Sequence, residues 1–214
     1  MKIYRRNTGH VLYSSELRSF EDAVCEGFAK GVNFSNADLS AGNYEYLHLK
    51  NVSLLGTSFN RSTFKLCSFT DCTIIESSFR DCVFIDCVFD RVSIYRSNFL
   101  RSKWSQTGVR KTCIVSCDVS RSDFKDIYLD KCNLFQCDLS NSLISNSKFR
   151  DTILNRCKLT NSRFDYVGFV GCALKSLCIK DLKSGSLGLQ LADCKFHSNW
   201  IINKWITYRY SKLC

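Results

Sequence analysis

From Phe34 to Ile179 every fifth residue is large and apolar, thirty positions in succession without an insertion. No local secondary structure has this period. Residues five apart on a strand face opposite sides of the sheet. On an α-helix they differ by about 140°, so the stripe would wander around the axis. A stride of five keeps its side chains on one side only if the chain turns a corner, always in the same sense, every five residues. Four such corners close a square of about twenty residues, and squares stacked edge to edge repeat at about 4.8 Å.

Two residues before each apolar centre lies a second, mostly small set: Ala37, Thr57, Ser62, Cys67, Cys72, Ser77, Cys82 and Cys87 among them. Taken every twentieth residue, the centres sort into ladders. One is aliphatic (Leu54, Ile74, Ile94, Ile114, Leu134) and one nearly all aromatic (Tyr44, Phe64, Phe84, Trp104, Phe124). Like stacks on like, as packed ladders should. The small column Gly42, Ser62, Cys82, Ser102, Ser122 offers hydroxyls that can bond the turning backbone. The segment Trp104 to Val109 fits the pattern least well and is expected to bend the rod or to mark where two halves meet.

The units "CSFTD", "SSFRD", "CVFID", "CDLSN" and "SNFLR" resemble those of the pentapeptide-repeat proteins. The resemblance implies an all-β fold, a right-handed quadrilateral parallel β-helix. It implies little about activity, because function lives in sites rather than folds. Composition agrees with it. Proline is absent from all 214 residues, as suits strands paired along both edges. Of the 14 cysteines, nine fall on the small inward position: Cys67, Cys72, Cys82, Cys87, Cys117, Cys132, Cys137, Cys157 and Cys172. They read as compact buried hydrophobes. Thiols stacked on adjacent coils lie within disulfide range, but in-register parallel neighbours seldom aim their Cβ atoms correctly, so free thiols are expected. There is no apolar run long enough to span a bilayer and no signal-like segment after Met1, so a reducing cytoplasm and no membrane contact are expected.

The ends differ in texture. Residues 1–31 read as an N-terminal cap: a hairpin turning at Asn7-Thr8-Gly9-His10, then a short helix capped by Ser19, with Phe20, Val24 and Phe28 on its apolar side. Such a lid covers the open edge of a solenoid. The repeat is assigned to residues 32–195, with Leu182, Leu187 and Ala192 holding the small slot. Residues 196–214 form a C-terminal cap or dimerisation segment, in which Trp200, Trp205 and Tyr208 either close the last coil or also join a second subunit in a homodimer, as in many relatives of the family.

A search for catalytic groups returns little. His10, His48 and His197 are dispersed, no Cys-x-x-Cys pair exists, and phosphate-loop, nucleophile-elbow and zinc-protease motifs are absent. A filled square core is expected to leave no substrate pocket. The expectation is therefore a protein without enzymatic activity, metal or cofactor, working through its outer surface as a rigid binding or scaffolding rod.

Two surface features stand out. Leu55, Ile75, Tyr95, Val115 and Phe135, each twenty residues apart, form an apolar stripe about 19 Å long in an outward slot. It is either ladder-stabilising β-propensity or a contact face for another protein. The second feature is charge, with a net +10. Arg91, Arg96, Arg101, Lys103, Arg110, Lys111 and Lys131 suggest a basic face for nucleic acid or an acidic partner, offset by an alternating column Asp90, Arg110, Asp130, Arg150. The family resemblance adds an alternative role. Some members bind DNA gyrase or topoisomerase IV as imitations of duplex DNA and protect it from quinolones or toxins. The acids Asp81, Asp86, Asp90, Asp118, Asp123, Asp126 and Asp130 would have to supply the negative face, against the basic balance of the whole chain.

Overall fold

A computed structural model describes residues 1–177 and 190–197. The stride of five produces the four-sided coil it demands. Three sides are sheets of parallel three-residue strands, with seven, eight and eight strands. Partners lie twenty residues apart, as in Val88↔Ser68 and Val88↔Gly108. The first side, centred on Leu39, Phe59, Phe79 and Phe99, is joined by single bridges running from Asp38 to Lys158. The second side is centred on Tyr44, Phe64, Phe84 and Trp104, the third on Leu49, Phe69, Phe89 and Val109, and the fourth on Leu54, Ile74, Ile94 and Ile114.

The corners share one backbone solution. Every fifth residue from Asn36 to Ser176 has φ between +46° and +63°, whether it is Asn, Asp, Arg, Leu or Gly. A residue other than glycine loses about 1–2 kcal/mol there. Inter-coil bonding offsets this, because the corner N–H reaches the next coil: Arg61 N to Arg80 O at 2.8 Å, Asp81 N to Leu100 O at 2.9 Å, Arg101 N to Ser120 O at 3.0 Å.

From Phe34 to Leu174 the centres are buried, apart from a half-buried Ile114. Rings stack from coil to coil nearly parallel: Phe69 on Phe89 at 4.6 Å, Phe79 on Phe99 at 4.8 Å, Phe84 on Trp104 at 4.0 Å. The small inward residues are donors as well as fillers. The thiol of Cys82 reaches Phe59 O at 2.9 Å, Cys67 reaches Tyr44 O at 3.3 Å, and Ser162 Oγ reaches Leu139 O at 2.6 Å. Hydroxyls at the same slot also accept: Ser122 Oγ takes the N–H of Ser102 at 3.1 Å. All nine inward cysteines are buried, and the described cysteines are free thiols.

The segment Trp104 to Val109 does not interrupt the coil. Lys103–Ser105 and Gly108–Arg110 pair in register on both sides, and Trp104 Nε1 donates to Ser102 Oγ at 2.7 Å. One expectation, that of a filled core, is corrected. An apolar cavity of about 60 Å³ runs beside Trp104, Val109, Ile114, Val119 and Phe124. Its origin is compositional. Phe99 and Phe89 give way to Val119 and Val109 on the first and third sides, next to Ile114 on the aliphatic fourth, and the lost ring volume is not replaced.

The N-terminal cap forms as the spacing predicts. Strands β1 (Lys2–Tyr4) and β2 (Val11–Ser14) pair antiparallel. Helix α1 (Phe20–Ala29) begins at Ser19, whose hydroxyl accepts the N–H of Asp22. Gly27 lets the helix touch the first coil: a Cβ there would meet the Phe34 ring, which also packs edge-on to Phe28 at 4.7 Å.

At the far end the frame slips. Phe169 pairs with Leu191 and Leu174 with Phe196, a step of 22 rather than 20. Leu191 therefore takes the centre and Cys194 the small slot, bonding Phe169 O at 3.4 Å. Ala192, expected in the small slot, instead faces Val170. Ile179, Leu182, Leu187, Trp200, Trp205 and Tyr208 lie outside the described residues.

Candidate functional site

The apolar stripe is built by the fourth side. Strand register stacks Leu55 on Ile75, Ile75 on Tyr95, Tyr95 on Val115 and Val115 on Phe135. Leu55 is 40% and Tyr95 36% exposed, while Ile75, Val115 and Phe135 are half-buried by their neighbours. The guanidinium of Arg156 lies 5.9 Å from the centre of the Phe135 ring. The companion outward column on this side is Ser53, Thr73, Ser93, Cys113, Asn133 and Ile153. Neither column holds a charge from Ser53 to Asn155. The second and third sides, by contrast, carry Lys65, Lys103, Asp123, Asp90, Arg110 and Arg150 outward. The stripe alone is visible at a stride of twenty; its neutral companion column is recognised only once both outward slots of one side are compared.

The seven basic residues do not make one face. Arg91, Lys111 and Lys131 occupy the corner between the third and fourth sides, and Arg110 sits beside them on the third. Arg96 and Arg101 turn two other corners, and Lys103 lies on the second side. They come from consecutive coils, so a run in sequence wraps around the rod. Several are matched by acids one coil earlier: Arg91 with Asp71 at 2.6 Å, Arg96 with Glu76 at 2.9 Å, Arg101 with Asp81 at 2.6 Å, and Arg110 with Asp90 at 3.7 Å. Arg91 also pairs with its neighbour Asp90. The guanidinium partners hold the carboxyls of Asp71, Asp81 and, through Arg150, Asp130 below their ordinary range. The alternating column pairs as Asp90 with Arg110 and Asp130 with Arg150, the latter at 2.8 Å.

The acids are equally dispersed. Asp81, Asp86 and Asp126 stand at corners, Asp90 and Asp130 on the third side, Asp123 on the second and Asp118 on the first. Among the described residues no group of three His, Cys, Asp or Glu side chains is placed to hold a metal ion, and no helix is long and apolar enough to cross a membrane. His48 Nδ1 lies 2.8 Å from Ser68 Oγ on the third side. Burial pushes the Cys82 thiol up to about 12 and the Cys117 and Cys132 thiols to about 11.

Comparisons with known proteins add no site to this geometry. The family described as the SV2A/B/C luminal domain matches residues 18–109, under half of the chain. No curated protein sequence matches. Among solved structures, QnrB1, a plasmid-mediated fluoroquinolone resistance protein, is 16% identical, covering 81% of this chain and 98% of that one at a TM-score of 0.36. HetL from Nostoc sp. strain PCC 7120, a pentapeptide repeat protein involved in heterocyst differentiation regulation, is 13% identical over 81% of this chain and 93% of its own, TM-score 0.35. Rfr23, from the cyanobacterium Cyanothece 51142, is 10% identical over 76% and 88%, TM-score 0.31.

Proposed function

We propose that the chain, whose repeat resembles that of the pentapeptide-repeat proteins and builds a four-sided coil, is a non-catalytic rod that binds another protein through its fourth side. The observation behind this reading is the pair of uncharged outward columns from Ser53 to Asn155, apolar in one and small or polar in most of the other, set beside the charged corner of Asp71, Arg91, Lys111, Lys131 and Asp151. Flat, neutral and apolar surface of this kind is characteristic of protein contacts. Rigidity follows from the ladder, since every coil is bonded to both neighbours and loses little freedom on binding.

Imitation of duplex DNA toward gyrase or topoisomerase IV draws less support. It requires rows of free carboxylates, and among the described residues no outward column carries more than two acids in succession. The contact is tested by a double substitution, Tyr95→Ser with Phe135→Ser. Both side chains point outward, so unfolding should stay close to wild type while a partner captured by the native protein, or self-association if the partner is a second copy, is lost. Retention of both by the double variant would remove the fourth side from consideration.

A further inference from the structure

At the N-terminal end the hairpin lies along the first side of the coil. Asp38 N donates to Tyr4 O at 3.2 Å, Arg6 N donates to Asn36 O at 2.7 Å, and Arg5 bridges Ala37 antiparallel. This docking encloses a cleft of about 490 Å³ whose lining includes Lys2, Arg5, Arg6, Arg61 and Asp38. The volume falls within the usual range for small-molecule sites. Four stretches meet there: the hairpin, the start of α1 through Phe20, the first coil through Asp38, Ser40 and Ala41, and the corner of the second coil through Arg61.

The cleft gathers four cations and one carboxylate, and the acid one coil from Arg61, Asp81, is held by Arg101 at 2.6 Å. Elsewhere an arginine is commonly answered by a carboxylate one coil away, as in Arg91–Asp71, Arg101–Asp81 and Arg150–Asp130. Lys2, Arg5, Arg6 and Arg61 make no ion pair among the described residues, and the single carboxylate in the lining, Asp38, accepts the N–H of Ser40 at 3.1 Å. The cations are not on a loose tail. Arg5 N donates to His10 O at 2.8 Å and Gly9 N to Arg5 O at 2.9 Å, closing a turn that Gly9 permits with φ +67°. Four cations held around one cavity repel one another, and an anion bearing several charges relieves that repulsion. Guanidinium groups hold phosphate oxygens in bidentate fashion.

We propose that this cleft binds a di- or triphosphate group. The several negative charges of a di- or triphosphate match four cations better than those of a single orthophosphate. The phosphate chain belongs either to an inorganic polyphosphate or to a nucleotide whose base lies on Tyr4, which is 46% exposed at the cleft. The site is separate from the fourth side and does not depend on the protein contact placed there.

Isothermal titration of the full chain with sodium triphosphate and with ATP, each at low and at physiological salt, tests the assignment. Saturable one-to-one binding in the micromolar range is expected. Arg6→Gln and Arg61→Gln should each weaken it about tenfold, the scale of one lost charge-assisted hydrogen bond. Lys111→Gln, an equal charge change on an open corner, should leave it within about twofold, since an exposed distant charge is largely screened. Far-UV circular dichroism confirms that each variant is folded, and Lys2→Gln replaces any that is not. Equal affinity for the two ligands identifies the phosphate chain as the whole ligand. Tighter ATP binding, with the excess lost in Tyr4→Ala, identifies a nucleotide. Absence of saturable binding, or equal weakening by Lys111→Gln and Arg61→Gln, would overturn the proposal.

Discussion

Cys82 sits where the small inward residue of a pentad must, and its thiol bonds Phe59 O at 2.9 Å in the coil before. A valine there fills the space but removes one of the two donors to that carbonyl, which the Ser62 N–H also reaches at 3.1 Å, so Cys82→Val is expected to cost up to about 1 kcal/mol in urea unfolding and Cys82→Ser less. Titration gives a second test. A buried thiol whose folded pKa is raised from 9.0 to about 11 or 12, as for Cys82, Cys117 and Cys132, contributes stability that is complete below the unfolded value. That stability is lost as pH rises through the folded one. Thermal midpoints should therefore fall between about pH 9 and 12. Asp71, Asp81 and Asp130 have depressed values, so their contribution is present above the ordinary carboxylate range and fades as pH drops below it. That a small residue is needed at this slot is legible in the sequence. Its service as a donor to a carbonyl 23 residues earlier is not, because alanine, valine and leucine occupy the same column elsewhere, at Ala37, Val92 and Leu47.

At the level of the element, the corner is the unit that sequence reading misses most. The left-handed turn at Leu66, φ +55°, or at Tyr166, φ +55°, is announced by neither glycine nor asparagine. At Leu66 the strain is carried by the bond from its N–H to Ile85 O in the next coil at 3.0 Å, instead of by local turn chemistry. Replacing exposed Leu66 with asparagine is expected to stabilise by about 0.5–1 kcal/mol, and with valine to destabilise by about 1–2 kcal/mol, both read from unfolding midpoints. The cap is more legible, since Ser19, the acidic first turn and the apolar positions of α1 all carry ordinary helix signals. What its sequence does not disclose is the cleft beside it. Lys2, Arg5 and Arg6 are unremarkable residues until the hairpin brings them against Arg61. Gly27→Ala, which sets a methyl group against the Phe34 ring, should cost about 1–3 kcal/mol by overpacking.

For the whole molecule, a solenoid of this kind is stabilised coil by coil, each contacting only its neighbours. The apolar cavity beside Val109 and Val119 marks the thinnest packing, and Val119→Leu should raise stability there by up to about 1 kcal/mol. The fold itself is legible because thirty side chains repeat one spacing; the 22-residue step from Phe169 to Leu191 is not, because the stride of five runs on past Phe169 through Leu174 and Ile179. That spacing is also the claim on which the outer faces, the stripe and the cleft depend. Its most direct test is the thermal unfolding of two deletions, one removing residues 141–160, a full coil, and one removing 142–160, a coil less one residue. The first should stack Phe164 against Phe124 and unfold cooperatively within several degrees of wild type. The second should turn every later centre away from the axis and abolish the transition. Equal behaviour of the two would contradict the account.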